Sequence, residues 1–269
     1  MKKDLYIDAD HLLYFVAMAK SYTGSNYNID EDADDLTGGK KYKQPLKALK
    51  KHFKELVEEY HTTAEVEGVV QGYKIKKVHL IFSDPTGNFR HDIFPEYKNK
   101  REEKPELFYR LRKWALKTYR HEKNVEADDV VAYYVRKGNV GISTDKDLLK
   151  GVPGIWYNAH YLAQKWAYTS KEEARKFCLM QSVGGDSTDG IPGIPGVALT
   201  TAAKRLDKFG WNWAGVVMAY ELADKPASPG SKQRVSLGLT KKDAVLTRRL
   251  IGMDQWTPKK GLKLWEPSK

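Results

Sequence analysis

Five groups of carboxylates carry the chemistry open to this chain: Asp8 with Asp10, Asp84, Glu126-Ala127-Asp128-Asp129, Asp145-Lys146-Asp147, and Gly185-Asp186-Ser187-Thr188-Asp189. Three follow short apolar runs that read as strands: Leu5-Tyr6-Ile7 before Asp8, His79-Leu80-Ile81-Phe82 before Asp84, and Val140-Gly141-Ile142 before Asp145. In an open parallel sheet, ligands bind outside the carboxyl ends of the strands, so residues far apart in sequence converge there. Two carboxylates about 4 Å apart repel by roughly 4 kcal/mol at an effective dielectric near 20. A pocket gathering these groups must therefore hold positive charge. Magnesium, a hard cation, is held by a few carboxylates together with waters and substrate phosphates, so the expected chemistry combines metal with phosphate.

The elements that must position these acids alternate between strand and helix. After the first strand, Leu12 to Ala19 reads as a helix, and Ser21 to Tyr42 as a polar loop. No strand precedes the loop's own acids, Asp30, Glu31, Asp32, Asp34 and Asp35, which read as a solvated run. Pro45 opens a helix to about His61, with Leu46, Leu49, Phe53, Leu56 and Val57 at helical spacing. Glu126 to Arg136 reads as a helix that begins at its acids, where the positive end of the dipole favours anions. A strand at Val140 to Ser143, a turn at Asp145 to Lys150 and a strand near Gly154-Ile155-Trp156-Tyr157 complete the pattern. The expectation is an α/β core with a mostly parallel sheet over residues 1 to about 165.

A helical lobe follows over 166–269, with helices at Lys171 to Val183, Leu199 to Phe209, Trp213 to Leu222 and Lys241 to Gly252. Between the first two lies Asp189-Gly190-Ile191-Pro192-Gly193-Ile194-Pro195-Gly196-Val197, a tight connection whose backbone amides can approach phosphates. The segment beyond Lys225 is basic, and its stretch at 226–231 reads as a mobile loop.

With 46 Lys and Arg against 35 Asp and Glu, the chain of 269 residues carries a formal charge of +11, which points to a polyanionic partner, nucleic acid first. The residue-level alternative is that this charge serves solubility. Between Tyr97 and Arg120 there are nine Lys and Arg, interleaved with Tyr97, Phe108, Tyr109, Trp114 and Tyr119. Basic groups can track a phosphate backbone while aromatics stack on bases; alternatively, Leu107, Leu111, Trp114 and Leu116 form the inward face of an ordinary amphipathic helix.

Cys178 is the single cysteine, which excludes an internal disulfide and a thiolate metal set, and it reads as buried in a helix. Asp4, Asp8 and Asp10 interrupt any leader-like apolar start, and no run approaches a membrane span, so a cytoplasmic location is expected. The histidines are scattered, and no Walker-type phosphate loop is present.

In this order the motifs resemble the 5′-nuclease or flap endonuclease family, especially its compact bacteriophage members acting as 5′-to-3′ exonucleases. The matching residues are Ile7-Asp8, Asp84, Pro95-Glu96-Tyr97-Lys98-Asn99-Lys100-Arg101, Glu126-Ala127-Asp128-Asp129, Ser143-Thr144-Asp145-Lys146-Asp147 and Gly185-Asp186-Ser187-Thr188-Asp189, spanning residues 4 to about 210. The resemblance implies a PIN-like nuclease core with an arch at about 89–120, and a helix-three-turn-helix element at about 177–210 that grips duplex DNA. By motif match, Asp8, Asp84, Glu126 and Asp128 would surround one metal ion. Asp129, Asp145, Asp147, Asp186 and Asp189 would support a second.

The implied ions are two Mg2+, with Mn2+ as a substitute. Asp10 has no firm family counterpart and reads as a supporting residue. Lys98 and Arg101 match catalytic basic positions at the base of the arch, and Tyr97 a stacking aromatic. Gly193 and Gly196 fall in the DNA-gripping hairpin. Ala198 and Thr200 depart from the family's Gly and Lys there, which bears on a K+ ion at the hairpin, and Lys204 and Arg205 supply charge one turn later.

The implied activity is metal-dependent hydrolysis of DNA phosphodiesters near 5′ ends, duplex or flap, in phage-type replication or primer removal. RNA primers, a replication polymerase and a single-strand-binding protein are the further partners implied, with the host cytoplasm as the location if the chain is phage-encoded. Two rival readings remain open: a PIN-type ribonuclease, and a noncatalytic structure-specific DNA-binding protein.

Overall fold

The computed structural model describes residues 1–18, 43–101, 103–104, 106–160, 162, 164–226, 228–229 and 231–267. Within it the chain forms two compact units. The first comprises Met1–Thr86, Glu102–Asp145 and Gly154–Tyr168, and the second Gly87–Arg101, Lys146–Pro153 and Thr169–Lys269.

The chain begins with β1 (Lys2–Asp8), α1 (Ala9–Met18), α2 (Lys43–Val70), β2 (Lys74–Phe82), α3 (Phe89–Ile93) and α4 (Glu106–Thr118). It continues through β3 (Arg120–His121), α5 (Ala127–Arg136), β4 (Val140–Ser143), α6 (Lys146–Gly151), β5 (Gly154–Asn158) and β6 (Lys165–Thr169). The sheet order is β3-β2-β1-β4-β5-β6. The pairs β1 with β2, β1 with β4, β2 with β3 and β4 with β5 are parallel. In β1 the run Leu5 to Asp8 is buried at every position, as expected of a strand covered on both faces. The core packs Leu5, Ile7, Leu12, Phe53, Phe82 and Leu111 together. Sequence order reverses direction across the β1/β4 pair, the point at which an open α/β sheet forms its binding crevice.

The second unit adds α7 (Lys171–Gly184), α8 (Leu199–Phe209), α9 (Trp213–Glu221) and α10 (Lys241–Ile251), with short strand pairs β7 (Asp224–Pro226) with β8 (Arg234–Ser236) and β9 (Trp256–Thr257) with β10 (Gly261–Leu262). At the start of α7, Ser170 Oγ accepts from Glu173 N at 3.2 Å, and Glu173 Oε2 accepts from Ser170 N at 2.8 Å. Val183, Ile194, Ala202, Leu206, Val216 and Ala219 form this unit's main core.

Several expectations are corrected. The helix expected from Pro45 to His61 starts at Lys43 and runs to Val70, because Tyr60 and Ala64 prolong its buried face. The turn expected at Asp145 to Lys150 is the helix α6, anchored by buried Leu148. Of the stretch read as a loop at 226–231, Pro226 instead closes β7. Cys178 is only partly buried. Ser21 to Tyr42 lies outside the described residues. In α4, Leu111 is fully buried and Leu107, Trp114 and Leu116 pack against the core, so these residues form an inward face. Among the described residues no helix is long and apolar enough to cross a membrane.

Candidate active site

In the first unit two serines organise the acids. Asp8, 6% exposed at the end of β1, accepts from Ser143 Oγ at 3.0 Å through Oδ2 and from Asp10 N at 3.2 Å through Oδ1. Ser143, at the end of β4, also accepts from Asp145 N at 3.0 Å. One hydroxyl thus joins Asp8 and Asp145 beside the β1/β4 reversal. Ser83 plays the matching part after β2. Its N donates to Asp10 Oδ2 at 3.1 Å, its Oγ accepts from Ala127 N at 2.9 Å, and its carbonyl accepts from Arg112 Nη2 at 3.2 Å. Ser83 therefore links the start of α1, the first turn of α5 and α4.

Asp84 accepts from Thr86 N at 2.9 Å, Thr86 Oγ1 at 2.8 Å and Asn124 N at 2.6 Å. Against the upward push of burial, these bonds hold its carboxyl below the ordinary carboxylate value. Glu126 and Asp128, both part-exposed, flank the start of α5. Asp129 is fully buried and its Oδ2 accepts from Glu126 N at 3.1 Å, so that oxygen fixes the beginning of the helix. Asp10 differs from its neighbours: Oδ1 is shut off from solvent without a hydrogen-bond partner, and burial, then the nearby Asp8 charge, push its pKa up.

The second unit holds the other candidates. Asp189 Oδ1 accepts from Arg101 Nη2 at 2.6 Å, Oδ2 lies 3.5 Å from Lys98 Nζ, and its carbonyl accepts from Lys98 N at 2.9 Å. Arg101 and Lys98 are thereby anchored to one carboxylate. Asp186 pairs with Lys146 Nζ at 3.0 Å and accepts from Thr188 N at 2.8 Å; against its burial penalty, Lys146 and these bonds hold the carboxyl below its ordinary value. Asp147 accepts from Gln181 Nε2 at 2.8 Å.

Tyr97 requires a correction. Expected to offer a stacking face, it is 2% exposed, packed with Ile191, Leu250 and Ile251. Its hydroxyl lies 3.4 Å from Asp189 Oδ2 and Lys98 Nζ sits over its ring, so here it is a buried support for Lys98 and Asp189.

The connection from α7 to α8 lines an open cavity of about 590 Å³ with Gly193, Gly196, Ala198 and Leu199, alongside Lys146 and Asp186. A Cβ at Gly193 would lie 2.2 Å from the Gly184 carbonyl carbon, so only glycine fits there. Ala198 caps α8 with no side-chain bond, in contrast to Ser170 at α7. Lys204 is exposed, whereas Arg205 is partly committed to packing, donating to Ala219 O at 3.1 Å.

Ser83 and Ser143 are the site residues that sequence reasoning missed. The available signal was a serine closing each apolar strand run within two positions of an aspartate. Among the described residues, no three acidic, histidine or cysteine side chains already surround a single point. The donors are nonetheless hard oxygens throughout, and Asp10 Oδ1 remains without a partner beside Asp8. That chemistry fits a hard divalent cation and excludes a soft, thiolate-type centre.

Comparison with known proteins agrees with this reading. Residues 42–177 match the family described as 5′-3′ exonuclease, N-terminal resolvase-like domain. A 5′-3′ exonuclease of Buchnera aphidicola subsp. Acyrthosiphon pisum (strain APS) is 31% identical over 169 residues, covering 54% of this chain and 57% of that protein. DNA polymerase I of Bacillus caldotenax is 28% identical over 210 residues, covering 67% of this chain and 23% of the polymerase. The chain thus spans little more than half the length of the Buchnera relative.

Among solved structures, the T5 D15 protein crystallised with metal ions superposes with a TM-score of 0.55 at 16% identity, covering 92% of this chain and 84% of that one. The bacteriophage T5 D15 flap endonuclease, in a pseudo-enzyme-product complex with DNA and metal ions, gives 0.53 at 16% identity, covering 93% and 86%. These structures share the PIN-like fold, a mostly parallel sheet flanked by helices. With the family match extending from α2 into α7 and containing three of the five acidic groups, those of Asp84, Glu126 to Asp129 and Asp145 to Asp147, the chain belongs to the 5′-3′ exonuclease family with an N-terminal resolvase-like domain.

Proposed function

We propose that this protein is a metal-dependent 5′-to-3′ exonuclease or flap endonuclease that hydrolyses DNA phosphodiesters near 5′ ends. The observation carrying the reading is the cluster at the β1/β4 reversal, where Ser143 joins Asp8 to Asp145 in a family known for this chemistry. By match to the family's motifs, Asp8, Asp84, Glu126 and Asp128 would hold one Mg2+, and Asp145, Asp147 and Asp186 would support a second. Asp129 contributes by fixing the start of α5, and Asp189 by anchoring Lys98 and Arg101. When bound, two such ions supply a nucleophilic water and charge neutralisation at the attacking and leaving oxygens.

The residues of the chain do the remaining work. Lys98 and Arg101, oriented by Asp189, neutralise charge developing on the phosphate. The α7 to α8 connection acts as the helix-three-turn-helix grip: Gly193 and Gly196 keep side chains away from the backbone, α8 offers uncapped amides, and Lys204 adds an exposed cation. The segment at about 89–120 serves as the arch. Mn2+ substitutes for Mg2+, and K+ at the hairpin depends on backbone oxygens because Ala198 and Thr200 supply no family-type partner. The DNA polymerase I relatives favour a replication setting, with RNA primers as further substrates and a polymerase or single-strand-binding protein as partner.

The test is cleavage of 5′-labelled duplex DNA, flap DNA and RNA-primed DNA in magnesium and in chelator. Magnesium-dependent release of short 5′ products from DNA supports the reading. Cleavage confined to RNA, or cleavage that persists in chelator, overturns it.

A further inference from the structure

The second unit carries a groove that the nuclease reading does not use. Its floor is apolar, formed by Ile93 of α3 with Val245 and Leu246 of α10, and it encloses about 850 Å³. Its rim is basic, with Lys241, Lys242 and Arg249 against the single acid Glu221. Lys241 and Lys242 are exposed. A concavity of this size suits a few side chains of a bound segment, since ligand pockets run to roughly 300–1,000 Å³.

We propose that this groove docks a partner protein through a short acidic segment bearing two or three large apolar side chains. The apolar side chains would fill the floor over Val245 and Leu246, and the carboxylates would meet Lys241 and Lys242 at the rim. Complementarity of charge selects this occupant. A nucleic acid backbone fits poorly, because it would desolvate phosphate over an apolar floor. The amide end of α10 is also already taken: Thr240 Oγ1 accepts from Lys242 N at 3.2 Å, and Asp243 Oδ2 accepts from Thr240 N at 2.7 Å. Arg249 is held by Trp265 O at 2.9 Å. Discrete carboxylates separated by apolar side chains meet these conditions better than a continuous phosphate chain.

The test is fluorescence anisotropy of the full chain with a labelled decapeptide alternating aspartate with leucine and phenylalanine. Two control peptides carry serine in place of the apolar residues or lysine in place of aspartate. The expected result is saturable binding of the first peptide alone, weakened about tenfold by the exposed double variant Lys241→Glu/Lys242→Glu and also weakened by Val245→Ser. Both variants should keep the wild-type melting temperature and DNA-cleavage rate, so failure here is distinguishable from failure of the nuclease reading. Equal binding of the serine control, unchanged binding by both variants, or loss of DNA affinity in the double variant would overturn the proposal, the last by assigning the face to nucleic acid.

Discussion

Ser143 Oγ donates to Asp8 Oδ2 across 3.0 Å, joining residues 135 positions apart at the ends of neighbouring strands β1 and β4. Asp8 is nearly buried, so this bond fixes which way its carboxylate faces. Ser143→Ala should therefore weaken apparent magnesium affinity or slow cleavage by about 10–100-fold, the usual cost of losing a group that orients a ligand. Calorimetric titration with magnesium and single-turnover cleavage check this; wild-type values in both would remove Ser143 from the account.

Asp189 anchors Arg101 at 2.6 Å and Lys98 at 3.5 Å. In Asp189→Asn the two cations lose their charged anchor, so kcat should fall about tenfold or more while magnesium affinity stays near wild type. A matching loss of magnesium affinity would instead make Asp189 a direct ligand.

Glycine requirements in the α7 to α8 connection differ by position. A Cβ at Gly193 would collide with the Gly184 and Gly185 backbone, whereas Gly196 has φ +76° with nothing within 4 Å. Gly193→Ala should cost about 3 kcal/mol of stability, and Gly196→Ala about 1 kcal/mol, the strain of a left-handed conformation. Urea denaturation measures both; equal costs would contradict the packing described.

Acid stability should depend on Lys146. Asp186 has a depressed pKa in the folded protein, so its contribution is present above the unfolded carboxyl value, about 3.9, and is lost as pH falls through the folded value. Lys146→Met removes the cation at 3.0 Å, so the variant should be less stable near neutral pH, and its gap from the wild type should close as pH falls through the Asp186 titration. Lys146 is half exposed, and the difference should shrink in high salt. Melting curves from neutral to acid pH test this, and a gap between variant and wild type that stays constant down to the acid end would contradict it.

The strand-end acids were legible in the sequence because a parallel strand writes its burial as an apolar run and its end as the return of polar residues, as at Asp8 and at Ser83-Asp84. The helices of the second unit were legible for a similar reason: Leu199–Phe209 is bounded by the Gly-Pro connection on one side and Gly210 on the other. What stayed hidden depends on tertiary partners. A serine closing an apolar run is a weak local signal, and the roles of Ser83 and Ser143 show only through residues brought together by the sheet. Tyr97 lies in a basic, polar stretch that suggests exposure, and only its packing on Leu250 and Ile251 shows otherwise. The length of α2 and the helical turn of α6 were missed because buried Tyr60, Ala64 and Leu148 outweighed weak local signals.

The central claim, that the acids at the β1/β4 reversal and the start of α5 catalyse metal-dependent cleavage near DNA 5′ ends, is tested most directly with Asp128→Asn. Wild type and variant are compared for binding and for cleavage of 5′-labelled flap and duplex DNA, with magnesium and with chelator. The wild type should release magnesium-dependent 5′ products, and the variant should cleave about a thousandfold more slowly with DNA binding retained. Wild-type turnover by Asp128→Asn, or binding without cleavage by the wild type in magnesium, would contradict it.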